Sequence, residues 1–154
     1  MSQAVSGRQA AAGKTGDAGP PDATLAARAA AAAAEWAPVA GRVLLALVLG
    51  WFGYHELVRP GLWTGYVQVA PSSSGAAVVL VLIHGWVLLM LAVALLAGIA
   101  TRVAALIAAV LMLEIVISLT VTAGLSDLTL RDVGVLGLAV CLTGISSQRL
   151  TLQK

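Results

Sequence analysis

The stretch GAAVVLVLIHGWVLLMLAVALLAGIATRVAALIAAVLMLEIVISLTVTAG (Gly75–Gly124) decides the fold of this chain. It contains two apolar runs, predicted as helices over about 76–97 and 103–123, with the short sequence GIATR between them. A helix needs about 20 apolar residues to cross a hydrocarbon core about 30 Å thick, and each run is long enough. Because the connection is so short, we expect the two helices to be antiparallel neighbours in a membrane.

Two further apolar runs flank this pair. The first covers about 39–58 and should end at Pro60, which cannot continue a helix. The last covers about 132–150. Trp63 and Tyr66, between the first two runs, are typical of the aromatic belt at a membrane surface. The sequence therefore predicts an all-α integral membrane protein, a four-transmembrane-helix antiparallel bundle over residues 39–154.

Residues 1–38 differ in composition from the rest and are predicted to be a flexible, Ala/Gly-rich cytoplasmic tail, disordered to partly helical. The stretch ATLAARAAAAAAEW (23–36) consists almost entirely of strong helix formers, and Trp36 suits the headgroup level. A secretory signal peptide is the rival interpretation. It is disfavoured because the polar lead is long and HELVRP (55–60), rather than a small-residue cleavage site, follows the apolar run.

Composition excludes several functional classes. Of the 154 residues 60% are hydrophobic and 10% are charged, against about 25% charged in soluble domains. The net charge of +2 comes from scattered Lys and Arg beside apolar runs, which does not predict a nucleic-acid partner; the lipid bilayer is the expected environment. The single cysteine, Cys141, cannot form an internal disulfide or a CxxC redox pair.

The positive-inside rule predicts the orientation. With both termini in the cytoplasm, only Arg59 and Arg131 lie outside. The opposite orientation would place the larger cationic set outside: Arg8, Lys14, Arg28, Arg42, Arg102, Arg149 and Lys154. The prediction is N-in and C-in.

Six ionisable residues within or beside the runs are expected to converge on the outer half of the bundle, since charges in a span usually face a partner or a cavity. One hypothesis is a polar pocket that binds or protonates a ligand such as a quinone. The other is a salt-bridge network that fixes helix register, and for Asp132 also a helix N-terminal charge. The candidates are His55, Glu56, His84, Glu114, Arg131 and Asp132.

A metal site is disfavoured. His55 and Glu56 are adjacent, so on a helix they point about 100° apart, and His84 would have to complete the set from another helix. No HExxH motif or cysteine pair is present. No metal is predicted.

Small residues recur at steps of three and four on the first and last spans, which is how membrane helices pack closely or form homo-oligomers. The residues are Ala46, Gly50, Gly53, Gly134, Gly137, Cys141 and Gly144.

Three stretches resemble the DoxX family of small bacterial four-helix membrane proteins. They are GRVLLALVLGWFGYHELVRPGLWTGYV (41–67), LLAGIATRVAALIAAVLML (95–113) and LRDVGVLGLAV (130–140). They are similar to the family's first span with its trailing proline, its G-x-x-T-R-x-A-A turn and its R-D-x-x-L-L-G start of span four.

The resemblance implies a multi-pass protein of the bacterial cytoplasmic membrane. Some relatives are subunits of a thiosulfate:quinone oxidoreductase, and others belong to oxidative-stress complexes. We therefore expect a quinone-linked oxidoreductase subunit with no covalently bound cofactor, with a quinone as ligand and with other protein subunits as partners. The alternatives are a non-catalytic scaffold or stress-complex subunit and, less favoured, a small proton-coupled transporter.

Overall fold

The computed structural model describes residues 21–145, and every regular element in that range is helical, as predicted. The predicted tail before residue 21 and the end of the fourth predicted run, 146–150, lie outside the described residues. Two short 3-10 helices, Pro60–Leu62 and Thr64–Tyr66, follow the first α-helix. The α-helices are α1 (Pro21–Val58), α2 (Gly75–Ala97), α3 (Thr101–Ala123) and α4 (Asp127–Gly144).

Three of these helices are long and apolar enough to cross a membrane: Thr24–Val58 within α1, and the whole of α2 and α3. Such helices satisfy all their backbone hydrogen bonds internally, which a hydrocarbon environment requires. The chain is therefore a multi-pass membrane protein. The predicted runs 76–97 and 103–123 match α2 and α3 to within two residues at each end.

The chain divides into two compact units, residues 1–32 and 33–154. In the first unit, the described residues belong to α1 and are exposed from Thr24 onward. This agrees with the alanine-rich helix predicted over 23–36. In the second unit, α1 continues through Pro38 to Val58, so no helix break marks the predicted start of the first run at residue 39.

Helix α4 differs from its prediction at its start. It begins at Asp127 instead of residue 132, because the Ser126 hydroxyl accepts a hydrogen bond from the Thr129 N–H and caps the helix there. It ends at Gly144. Asp132 consequently lies beyond the first turn, so the helix N-terminal role predicted for it falls to Asp127.

Helix α4 is also more polar than the other three. Its 18 residues include Asp127, Arg131 and Asp132, and it is not among the helices apolar enough to span by composition. It nevertheless packs along α3 and against α1. A Cβ built on Gly41 of α1 would lie 3.2 Å from Leu138 Cδ1 of α4.

The core of the second unit combines large residues on α1 and α2 with small residues on α3. Leu45, Leu49 and Leu88 are fully buried, and so are Ala105 and Ala108. Alanine brings the α3 backbone close to its neighbours, so that dispersion contacts hold the helices together.

The small residues predicted on α1 lie at helix contacts. Ala46 is buried, and a Cβ built on Gly50 would be at ordinary contact distance, 3.6 Å, from Ala92 of α2. Gly53 is much more confined, because a Cβ there would lie 2.7 Å from the Gly85 carbonyl oxygen.

The small-residue stripe predicted on the fourth run does not lie at a helix contact within the described chain. All four residues are exposed, and a Cβ built on any of the three glycines would meet nothing within 4 Å. The stripe faces outward because α4 turns its opposite side, with Asp132, Ala139 and Leu142, toward the other helices. The residues concerned are Gly134, Gly137, Cys141 and Gly144.

Candidate functional site

A cavity of about 690 Å³ lies in the second unit, lined by residues from all four α-helices. Its walls are largely apolar, with Val81 and Leu111 among them, and the segment after α1 contributes Trp63 and Tyr66. The structure places all six predicted polar residues in its lining: His55, Glu56, His84, Glu114, Arg131 and Asp132. A pocket of this size, with a few polar groups in apolar walls, is typical of a small-molecule site.

Glu56 of α1 and His84 of α2 form the most buried ion pair of the cavity. Glu56 Oε2 lies 2.8 Å from His84 Nδ1, and the two side chains are 6% and 21% exposed. Removing one member of such a pair leaves the other uncompensated at low dielectric. This pair therefore joins α1 to α2 and also places a carboxylate and an imidazole in the lining of the cavity.

Two glycines bring this pair together, and sequence reasoning found only Gly53. A Cβ built on Gly85 would lie 3.0 Å from Glu56 Cβ and 3.1 Å from the Gly53 carbonyl oxygen. Each glycine stands within three residues of the ion pair on its own helix. The close backbone approach sets the distance that Glu56 and His84 span. A glycine directly after a histidine inside an apolar run was the available signal for Gly85.

The second ring nitrogen of His84, Nε2, is buried and has no hydrogen-bond partner among the described residues. Glu114 of α3 acts electrostatically on the same imidazole. The histidine thus contacts one carboxylate and interacts at longer range with another.

Arg131 and Asp132 form a second ion pair, with Arg131 Nε 2.9 Å from Asp132 Oδ1. The Asp132 side chain is 2% exposed and the Arg131 side chain 53%. The guanidinium carbon also lies 5.3 Å from the centre of the Phe52 ring, at cation–π distance. Arg131 thereby links α4 to α1.

His55 does not join Glu56 and His84, in keeping with the divergent directions of adjacent helical residues. Its ring is half-buried and lies 4.5 Å from the Trp51 ring centre and 5.7 Å from that of Tyr54. The structure thus places His55 in an aromatic setting at the cavity. Within residues 21–145 no group of three metal-ligating side chains is present.

Residues 60–69, which we call the cover segment, supply the remaining side of the cavity. Trp63 meets Phe52 edge to face at 6.0 Å and lies 6.2 Å from Tyr66. Ser118 of α3 donates a hydrogen bond to the Tyr66 carbonyl oxygen at 2.6 Å and accepts one from Gln68 Nε2 at 3.3 Å. Sequence reasoning missed Ser118, because a serine in a span carries no signal of a partner about 50 residues away.

We expect Ser118→Ala to loosen the cover segment, because the buried hydroxyl, 4% exposed, is its hydrogen-bonded anchor on α3. The loss should cost about 1 kcal/mol of stability and raise amide hydrogen exchange over residues 62–69. Thr120→Ala is the matched control, since the Thr120 hydroxyl donates to the Val116 carbonyl of its own helix and does not contact the cover segment within the described residues. Equal exchange in the two variants would show that Ser118 does not anchor the segment.

Comparisons of the chain with models of protein families, with curated proteins and with solved structures give no match. The function proposed below therefore rests on the geometry of the cavity. It offers apolar walls, aromatic rings, two ion pairs and one further carboxylate, a combination suited to a molecule with an apolar body and a polar head.

Proposed function

We propose that this protein is a four-span, DoxX-like membrane protein that binds a quinone in its cavity, as the membrane subunit of a quinone-linked oxidoreductase of the thiosulfate:quinone type. The observation that carries the proposal is the cavity of about 690 Å³, which combines apolar walls with the Glu56–His84 and Arg131–Asp132 pairs. The resemblance of three sequence stretches to DoxX proteins supports the oxidoreductase assignment.

The chemistry of a quinone fits this lining. A quinone ring is flat and apolar, its two carbonyl oxygens accept hydrogen bonds, and its tail is soluble in the bilayer. Phe52 and Trp63 offer ring surfaces, while Arg131 and His84 carry N–H groups that can donate to a carbonyl. The chain has no haem, iron–sulfur or flavin motif, so a partner subunit supplies the electrons in this proposal.

Two features support a fourth span and the predicted topology. Helix α4 packs on α3, and its most buried acid, Asp132, is paired with Arg131, which lowers the cost of a charged residue inside a bilayer. The distribution of Lys and Arg favours both termini in the cytoplasm, with the cavity in the outer half of the cytoplasmic membrane of a bacterium.

Mass spectrometry of the tagged protein, purified gently from its native membrane, tests the proposal. We expect stoichiometric quinone, together with a partner that carries a redox centre. His84→Ala and Asp132→Asn should lose the quinone because both residues line the cavity, while Val93→Ala, exposed on the same helix as His84, should retain it. Purified protein without any quinone would contradict the proposal.

A scaffold or stress-complex subunit is the second candidate. The outward stripe of α4 supports it, because glycines that meet nothing within 4 Å leave room for a helix of another subunit. A stable partner without quinone, together with full complex assembly by His84→Ala, would favour this function.

A further inference from the structure

The cavity reaches the outer surface of α2 and α3. Leu80, Ile83 and Val87 of α2 line it and are also exposed. Their spacing of three and four residues places them along one side of the helix. Glu114 of α3 also lines the cavity and is exposed. We call these four residues the mouth, and because they belong to helices apolar enough to span a membrane, we expect the mouth to face lipid.

Glu114 is the carboxylate of the cavity that has no partner. Glu56 is paired with His84, and Asp132 with Arg131. Among the residues described, Glu114 forms neither a hydrogen bond nor an ion pair, and it interacts with His84 at longer range. It is also the fourteenth residue of a 23-residue apolar helix, close to the middle of the span.

A lone acid at this depth is costly, and such residues mark ligand or ion pathways when they face a cavity. A carboxylate only accepts hydrogen bonds, so what it lacks is a donor. No side chain among the described residues donates a hydrogen bond to Glu114, since His84 Nδ1 and Arg131 Nε contact Glu56 and Asp132 instead. A ligand that passes the mouth can supply the donor.

We propose that Glu114 receives the head group of a ligand that enters from the bilayer between α2 and α3, and that it selects head groups that donate hydrogen bonds. This inference rests on the proposed quinone site and makes it a site for the reduced form. A quinol carries two hydroxyl donors, whereas the quinone carries only acceptors. The tail remains among Leu80, Ile83 and Val87, in contact with lipid.

The preference can be measured in nanodiscs under anaerobic conditions with decylubiquinol and decylubiquinone, which share one tail. Bound amounts are quantified by chromatography against empty nanodiscs. Since a hydrogen bond to a charged group is among the stronger ones, we expect the full chain to bind the quinol roughly tenfold more tightly. Glu114→Gln should reduce this preference several-fold and Glu114→Leu should abolish it.

Glu114→Leu keeps the test independent of folding, because removing an acid from a span does not hinder insertion. Thermal unfolding of this variant should equal that of the unaltered protein. Quinol and quinone bound equally by the unaltered protein, or a preference unchanged in Glu114→Leu, would overturn the inference and leave the quinone site standing. Binding of neither form would overturn the proposed function as well.

The entry route has its own test. Val87→Phe narrows the mouth without changing a polar residue, so uptake of decylubiquinol should slow several-fold. Val93→Phe is the control, because Val93 is exposed on the same helix but does not line the cavity. Equal uptake rates in the two variants would place the entry route elsewhere and overturn this part of the inference.

Discussion

Replacing Gly53 by alanine should separate α1 from α2 and produce the largest loss of stability of any single methyl group added to this protein. The new Cβ would lie 2.7 Å from the Gly85 carbonyl oxygen and 3.1 Å from Leu88 Cβ, closer than real Cβ atoms approach a backbone oxygen. Because the obstacle is backbone, a whole helix must move. We expect a cost of about 3 kcal/mol, the upper end for overpacked sites.

The matched control is Gly50→Ala, one turn earlier on the same face of α1. Its Cβ would meet Ala92 Cβ at an ordinary 3.6 Å, so the folded protein should accept it. Unfolding in a detergent titration, followed by near-ultraviolet circular dichroism, compares the two variants. If Gly53→Ala proved as stable as Gly50→Ala, the close approach of α1 and α2 would be refuted.

The second large loss of stability is expected from changes to the Glu56–His84 pair, and the losses of the two single changes should not add up in the double variant. Glu56→Leu leaves His84 without its partner, and His84→Leu leaves a carboxylate alone at a site where its side chain is only 6% exposed. Each single change should cost about 3 kcal/mol, whereas the double change to leucine should recover most of that loss, because no uncompensated charge remains.

The same unfolding titration, applied to both single variants and the double variant, gives the coupling energy. Glu114→Leu serves as the control for removing an acid that lacks a partner, and it should leave stability unchanged. A double variant whose loss equals the sum of the two single losses would show that the two residues do not stabilise each other.

The apolar helices could be predicted from the sequence because a membrane demands long runs without charge. The bounds of α2 and α3 follow from where those runs start and stop, and from the glycine that ends α2 in a left-handed conformation, Gly98 with φ 71°. The start of α4 could not be predicted from the sequence, because its first turn is polar and its hydrogen-bonding cap at Ser126 gives no apolar signal.

The gathering of the six polar residues could be anticipated because charges in spans avoid lipid, and the rise per residue places them at similar depths. Which of these residues form pairs could not be anticipated. The sequence does not show whether His55 or Glu56 faces His84 of α2, since that depends on how α1 is rotated about its axis. The glycine contact fixes that rotation and directs Glu56 toward α2, while His55 lies on the side of α1 that carries Trp51.

The outward direction of the α4 stripe shows the limit of small-residue patterns. Gly53 and Gly137 look equivalent in sequence, yet one contacts a backbone oxygen and the other contacts nothing. Gly137 lies opposite the buried side of α4, which carries Asp132 together with Ala139 and Leu142. In this chain, glycine spacing alone therefore does not show which side of a helix is buried.

The hydrogen bonds of Ser118 fix the first part of the connection between α1 and α2, up to Gln68, and do not reach the residues after it. The chain is held as far as Gln68, and Val69 is 84% exposed. The next hydrogen bonds join the Ser74 N–H and hydroxyl to the Pro71 carbonyl, where Ser74 caps α2. Insertions between residues 70 and 73 would add length without reaching the cavity, since loop closure penalises extra residues only weakly. Among descendants of this sequence, chain length should therefore drift in that stretch and stay constant before Gln68.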